Sequence, residues 1–407
     1  MTQQESSGTR FTFGKATLLP QEEMLEVKKS PKQLIIGIPK EDQKNESRVA
    51  LTPEAIEQLV DQGHQVIIES EAGKSANYHN TDYSECGGMI VEEKKHVFQT
   101  DIILKIAPLT LEEIDMLQEQ SMVISSLHLN SQTEEFIRKL MGKKVTAISF
   151  ENIKDEHNCH PVVRSMSTIA GTTSILIAAE YLSNVRGGKG VMLGGIPGIT
   201  PAEVIILGAG TAAESAVRAA IGLGAHVKVF DSSVHRLRRL QNNIGQRLYT
   251  SVFHKQVMTR TLRSADVLIG AMYLIEKGPR FVITEEMVKK MKKGAVIIDI
   301  SIDQGGCIET SECRNQQDPA FTKHGVIHYC VPNMPSRVAR TASIAISNVF
   351  LPILIQMGES GGPTPFLKEY TGVRNGVYIF NGILTNEFIG KHFNIPSKDI
   401  ELLMAAF

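Results

Sequence analysis

Much of what this 407-residue chain lacks argues against secretion, membrane insertion and nucleic-acid binding. Cysteine is scarce: Cys86, Cys159, Cys307, Cys313 and Cys330 are the whole set, and none stands in a C-x-x-C pair. Five cysteines at such spacings make no disulfide framework, so free thiols in a reducing compartment are expected, and no metal site. An excess of one charge is missing too. The formal net charge is −1, which gives no pull toward nucleic acid or an anionic lipid surface. The opening MTQQESSGTRFTFGKATLLPQ has neither the basic region nor the apolar core of a signal peptide. The most apolar run near the C-terminus, Ile344 to Met357, is interrupted by Asn348 and Pro352 and reads as too short to span a bilayer. Internal repeats and low-complexity tracts are absent. A cytoplasmic, soluble protein with no nucleic-acid or membrane partner is the expectation.

What is present is ordinary globular composition, 42% hydrophobic and 21% charged, at a length that suits two compact units. The first thirty or so residues, 1–32, show no periodicity and read as an extension lying on the surface or on a neighbouring subunit. From there short apolar runs alternate with amphipathic segments. QLIIGIPK, HQVIIES, DIILKI, MVISSL and VTAISF read as strands. TPEAIEQLVDQG reads as a helix capped by Thr52 with Pro53 in its first turn, and SQTEEFIRKLMGKK as one opened by Ser131. Such alternation implies a parallel sheet covered on both faces.

At MSTIAGTTSILIAAEYLSNV the pattern becomes one long apolar helix, suited to a buried connector. After the glycine-rich GGKGVMLGGIPGITP a second series follows, with strands VIILG, HVKVF, ADVLIG, AVIIDI and VIHYCV. TASIAISNVFLPILIQMG then reads as a return crossing. The expected fold is α/β: two Rossmann-like, doubly wound domains with parallel sheets, linked by long helices around a cleft. The first comprises 1–163 and is completed by 338–407; the second is 164–337.

EVIILGAGTAAE places Gly208 and Gly210 after a buried strand and Ala213 three residues further on. A lone G-x-G-x-x-G is a weak signal, so context decides. Here an alanine-rich helix follows, then HVKVFD, whose Asp231 stands about twenty residues beyond the glycines, as a dinucleotide fingerprint requires. Gly208 permits the tight turn, Gly210 lets a pyrophosphate approach the backbone, and the helix N-terminus stabilises its charge. Ala213 lets helix and strand pack closely. Asp231 would accept from ribose hydroxyls and repel a 2′-phosphate, which favours NAD over NADP, while Arg236, Arg238 and Arg239 nearby pull the other way.

Ligands in such sheets bind beyond the carboxyl ends of the strands, so polar residues there are the candidates. Lys105 ends DIILK, His128 ends MVISSLH, and Asp303 follows AVIIDISI. Arg48, in KNESRVALTP, could hold a carboxylate in bidentate fashion. Each has a bland reading: a solvated lysine, a structural histidine, or an arginine that merely pairs with Glu46 or Glu54.

Several segments resemble the alanine dehydrogenase family, which includes the soluble nucleotide-binding part of the proton-translocating transhydrogenase. They are GIPKEDQKNESRVALTP, LHLN, MSTIAG, VMLGGIPGITPAEVIILGAGTAAE, DISIDQGG and YCVPNMPSRVARTAS, in the right order from about Ile35 to beyond Ser347. The resemblance implies reversible NAD-dependent oxidative deamination of L-alanine to pyruvate and ammonium. It implies that Arg48 and Lys105 hold the substrate and that His128 is the acid/base. Asp303 would position water or ammonia at the imine carbon. Cofactor contacts would come from Ser167, Gly208, Gly210, Ala213, Asp231, Arg236, Ile300, Ser301, Ile302, Asp303, Val331, Asn333 and Met334. It also implies a homo-oligomer, a hexamer in the family's usual form. LKIAPLT lacks the family's glutamate between lysine and proline, GAMYLIEKGPR differs from many relatives, and Phe253 and Glu312 stand where polar or basic cofactor contacts are common. Two further readings are a nucleotide-binding subunit of a membrane transhydrogenase, whose membrane helices would lie on other chains, and a catalytically silent NAD sensor. The first has no need of a carboxylate grip, and the second could dispense with His128 or Asp303.

Overall fold

A computed structural model describes residues 30–42, 46–272 and 281–406. The expected N-terminal extension and most of GAMYLIEKGPR lie outside the described residues. Six short strands open the fold: β1 (Ile35–Ile38), β2 (Gln65–Glu69), β3 (Met89–Val91), β4 (Ile102–Leu104), β5 (Met122–Ser125) and β6 (Thr146–Ser149). Seven more follow: β7 (Glu203–Leu207), β8 (His226–Phe230), β9 (Tyr249–Ser251), β10 (Val267–Gly270), β11 (Val296–Asp299), β12 (Ala320–Lys323) and β13 (Val326–Tyr329). The chain then returns to the first sheet with β14 (Val377–Phe380) and β15 (Ile383–Leu384).

The first sheet runs β3-β2-β1-β4-β5-β6-β14-β15 and the second β9-β8-β7-β10-β11-β13-β12. Pairing is parallel from β3 to β6 and from β9 to β13. The late strands β14, β15 and β12 add antiparallel edges. In each sheet the order reverses beside its first strand, at β1/β4 and at β7/β10. Crevices open there because the loops leave to opposite faces.

Continuous apolar runs make these strands. Val204 to Leu207 and Val296 to Ile298 are 0% exposed, since helices cover both faces and no strand face meets water. Each such side chain contributes roughly 1.5–3 kcal/mol by burial. The helix Pro53–Asp61 starts as expected at its proline and buries Ala55, Ile56 and Leu59. Thr52 stands at its N-cap without a side-chain capping bond. Instead, its backbone N–H donates to Ser347 Oγ at 3.2 Å. The helix Glu134–Gly142 is opened by Thr133, whose hydroxyl accepts from Phe136 N, and not by Ser131. Ser131 is used otherwise: its hydroxyl donates to the carbonyl of His128 at 2.8 Å.

Two long helices join the sheets. Pro161–Leu182 packs against Thr211–Gly222 so closely that a Cβ at Gly171 would lie 2.0 Å from the carbonyl oxygen of Ala212, which explains the glycine of MSTIAG. Ala339–Glu359 carries Pro352 within it and runs further than the apolar run Ile344 to Met357. Among the described residues, Pro161–Leu182 and Met334–Glu359 are long and apolar enough to cross a bilayer, which corrects the reading of the latter as too short. In this fold each buries apolar side chains: Ile175, Ile177 and Ala178 in the first, and Ile346, Phe350 and Leu354 along one face of the second.

The second sheet carries a buried titratable group. His328 on β13 is fully buried, with Nε2 2.8 Å from Thr310 Oγ1 and Nδ1 3.0 Å from the carbonyl of Val326. The carbonyl can only accept, so Nδ1 carries the proton of a neutral ring. Burial pushes the pKa down to about 4. An unfolded histidine protonates near 6.5, so the stability this ring contributes is complete above about pH 6.5 and is lost as pH falls toward 4. Melting temperature, followed by circular dichroism from pH 7.5 to 5, should fall across that window. His328→Gln should flatten the fall. Equal slopes in the two proteins would remove His328 as a cause.

Candidate functional site

The turn after β7 begins at Gly208, whose φ of +104° is open to glycine, and whose missing Cβ would lie 2.3 Å from the carbonyl of Ala271. Gly210 is the N-cap of Thr211–Gly222, and a Cβ there would meet nothing within 4 Å. The turn therefore leaves an open face in front of unpaired helix N–H groups, which fits a dinucleotide pyrophosphate. Ala213 is fully buried and packs the helix on its sheet.

Asp231, just after β8, is 1% exposed. One of its oxygens accepts from Ala209 N at 2.8 Å and the other from Ser233 N at 2.7 Å, so it ties the glycine turn to the loop that follows β8. The arginine touching the turn is Arg239, through Ala209 O at 3.2 Å. Arg236 lies on the exposed face, its backbone N–H capped by Ser233 Oγ. Phe253 stacks on Phe230 beneath β8, and Glu312 pairs at the surface with Arg314 and Lys323.

Beyond β11 the loop is organised by Asp299, which is 0% exposed. Its carboxylate accepts from Ser301 N and Oγ, from Cys307 N and from Ser311 Oγ at 2.8–3.2 Å. Ile300 and Ile302 flank the buried Ser301, and Asp303 stands clear of them at the cleft. Desolvation raises the Asp303 pKa, and the charge of His128 opposes the rise. Val331 and Met334 are buried beside the β13 end, and Asn333 between them holds a left-handed φ of +56°.

The first sheet supplies the other wall from the ends of β1, β4, β5 and β6. His128 has a left-handed φ of +44°, an uncommon state for a non-glycine residue and one found often at working sites. Its Nε2 lies 3.5 Å from Glu151 Oε1, and Glu151 Oε2 in turn accepts from Leu127 N and Ser149 Oγ. Glu151 thereby orients the ring.

Arg48 and Lys105 are 9% and 4% exposed. Arg48 sends Nε and NH2 to the two oxygens of Glu46 at 2.8 and 2.6 Å, and NH1 toward Met166 Sδ at 3.2 Å. Met166 precedes Ser167 on the connector helix, and Ser167 is half-buried. Burial works against the charge on Glu46, yet Arg48 and Asn333 hold its pKa below the usual carboxylate range.

Lys105 Nζ lies 3.2 Å from Glu113 Oε2, 3.5 Å from Glu41 Oε2 and 3.1 Å from the carbonyl of Pro108. Glu113 also pairs with Lys94 at 2.7 Å. The pairing of Arg48 with Glu46 matches the bland reading, but a guanidinium held by its Nε edge keeps NH1 donors for a ligand. Periodicity gave no sign of Glu41, Glu46, Glu113, Glu151 or Asp299. The signal available was a rule of charge: a buried cation needs a carboxylate nearby.

Glu41 is buried. Burial pushes its pKa up to about 7, against Lys105, while Glu46 adds to the rise. Below pH 7 Glu41 is therefore neutral and Lys105 keeps charge to offer an anion; above it Glu41 ionises and competes. Affinity for a small monocarboxylate, measured calorimetrically, should weaken as pH rises through about 7. Glu41→Gln keeps an acceptor for Ile106 N and should flatten that dependence, whereas an unaltered pH profile in the variant would exclude Glu41 as its source.

Comparison with known proteins places this geometry in a family. Residues 37–170 match the alanine dehydrogenase/PNT N-terminal domain and residues 174–387 the alanine dehydrogenase/PNT C-terminal domain. The alanine dehydrogenase of Staphylococcus saprophyticus subsp. saprophyticus is 38% identical over 369 residues, 90% of this chain and 99% of that one. Alanine dehydrogenase 2 of Staphylococcus aureus is 36% identical over 368 residues, 90% of this chain and 98% of that one. A solved L-alanine dehydrogenase superposes with a TM-score of 0.83 at 33% identity, covering 89% of this chain and 99% of its own. A transhydrogenase from Sinorhizobium meliloti shares the fold, with a TM-score of 0.71 at 24% identity over 86% of this chain and 98% of its own. Two doubly wound sheets, their switch points turned toward one cleft and their sequences matched across both halves, make this chain a member of the alanine dehydrogenase/PNT family.

Proposed function

We propose that this chain is an NAD-dependent alanine dehydrogenase, catalysing the reversible oxidative deamination of L-alanine to pyruvate and ammonium. The observation that carries the reading is the meeting of two strand-end regions: Arg48, Lys105 and His128 beyond strands of the first sheet, Asp303 beyond β11 of the second, with the Arg48 loop bonded to the turn after β13 through Glu46 and Asn333. The first sheet, with 1–163 and 338–407, is the substrate-binding domain in this reading. The second, 164–337, binds the nucleotide. A subunit that only bound nucleotide would have no use for two buried cations at a small-carboxylate site.

In the proposed reaction the NH1 edge of Arg48 and the Lys105 ammonium hold the substrate carboxylate and, in pyruvate, the carbonyl oxygen. A bound nicotinamide supplies the hydride acceptor. His128, oriented by Glu151, takes the amine proton as the C–H bond at Cα breaks, then serves the proton transfers of the carbinolamine. Water adds to the iminium carbon and ammonia leaves; Asp303 aims that water, and in the reverse direction the ammonia. Two cations fixed on one small carboxylate leave the reacting carbon a single orientation. Ser167, Gly208, Gly210, Ala213, Asp231, Arg236, Ile300 to Asp303, Val331, Asn333 and Met334 line the cofactor side. Asp231 disfavours a 2′-phosphate there. Residence in the cytoplasm and assembly into a homohexamer belong to the same reading, with exposed Leu176 and Ile344 on the two connector helices as apolar surface for a second copy.

NADH formation from L-alanine should proceed with NAD and be at least tenfold less efficient with NADP. Equal kcat/KM for the two cofactors would overturn the role of Asp231 and implicate Arg239. His128→Ala should lower turnover by about two to four powers of ten, the scale of acid–base catalysis, and leave NADH affinity nearly intact. Asp303→Asn should lower turnover and also weaken NADH, as followed by NADH fluorescence. Near-normal turnover in the His128 variant, or a greater loss of NADH affinity there than in the Asp303 variant, would refute this division of roles.

A further inference from the structure

The segment carrying Arg48 is fastened to the far side of the cleft. Asn333 Nδ2 donates to Glu46 Oε2 at 2.6 Å, and Ser47 N donates to Ser336 Oγ at 2.8 Å. These contacts join the loop after β1 to the turn after β13, across 287 and 289 residues of sequence. Glu46 is 4% exposed, and the oxygen that receives Asn333 is the same one that receives Arg48 NH2. Its other oxygen takes Arg48 Nε and the Arg48 backbone N–H, at 2.8 and 2.9 Å.

One carboxylate thus fixes the orientation of the guanidinium and senses the place of the Asn333 turn. Movement of that turn leaves two alternatives. The Asn333 bond breaks, so that Glu46 Oε2 loses a buried donor and rebalances on Arg48, or the arginine loop is dragged along. In both cases the NH1 edge of Arg48 shifts relative to a bound anion.

We propose that Glu46 is a positioning residue that couples the two sides of the cleft, so that occupancy of the nucleotide side sets the affinity of Arg48 for a small carboxylate. The proposal rests on the reading that Arg48 holds the substrate carboxylate. Because coupling between two ligands is reciprocal, the carboxylate must tighten the nucleotide by the same factor. Glu46 is separated from both ligands by Arg48 and Asn333, so it acts through them.

The test uses the full-length enzyme with NADH and pyruvate, ammonium withheld so that no amination occurs. Pyruvate affinity is measured by calorimetry with and without saturating NADH, and the ratio is the coupling factor. The wild type should give a factor of about 5 or more, within the usual range for coupled sites. Glu46→Gln and Asn333→Ala should each bring it close to 1, and the double variant should go no lower. Asn333→Ala leaves the Glu46–Arg48 pair intact and serves if Glu46→Gln does not fold. A merely structural Glu46 would weaken pyruvate equally in both states and leave the ratio unchanged. That result overturns the proposal, as does a wild-type factor of 1. Arg48→Ala separates the two levels: unchanged pyruvate affinity in that variant would refute the site reading itself.

Discussion

Burying a cation without neutralising it is too costly for a protein to sustain, and two cations are buried at this cleft. Three carboxylates from two segments answer that constraint: Glu46 beside Arg48, and Glu41 and Glu113 around Lys105. Each has a second duty. Glu41 accepts from Ile106 N and closes the loop after β4; Glu113 accepts from Thr110 N and donates its own N–H to that residue's hydroxyl, a reciprocal helix cap; Glu46 reaches across to Asn333. The charges that a small anion would meet are thus set by residues that also shape the backbone. Loss of any one would disturb both geometry and electrostatics.

The duplicated topology explains why the chemistry converges. Each sheet reverses its strand order beside its first strand, so each offers a crevice at the carboxyl ends of its strands. The connector helices hold the two crevices face to face. One then supplies an open glycine turn before a helix N-terminus, the other a pair of cations and a histidine. Neither sheet alone supplies both His128 and Asp303.

Much of this was legible in the sequence because its cause is local. Continuous apolar runs marked the inner strands, and Gly208, Gly210 and Asp231 announced the turn through spacing. The connector helices showed as long apolar segments, although Pro352 concealed the full extent of the second. The short edges β3, β12 and β15 were not legible, since two to four residues carry too little period to detect. Nor were the partners of the site residues. Glu46 stands two positions from Arg48 and could be guessed, but Glu113 meets Lys105 only because a helix folds back over the loop, and Glu151 meets His128 only because β6 lies beside β5. The choice of Thr133 over Ser131 as helix cap was equally hidden: both are capping residues, and Ser131 is occupied by the strained His128 carbonyl.

The second connector helix, with the turn that precedes it, touches the arginine loop in an unusual way. Hydroxyls of Ser336, Ser343 and Ser347 receive the backbone N–H groups of Ser47, Val49 and Thr52, at 2.8, 2.9 and 3.2 Å. The grip is on the main chain, so it is indifferent to which side chains the loop displays, and excludes only proline at the gripped positions. The path of the backbone, and with it the origin of the Arg48 side chain, is consequently held by contacts additional to those the loop's own side chains make. A loop recognised by its peptide bonds keeps its place even when a neighbouring side chain moves.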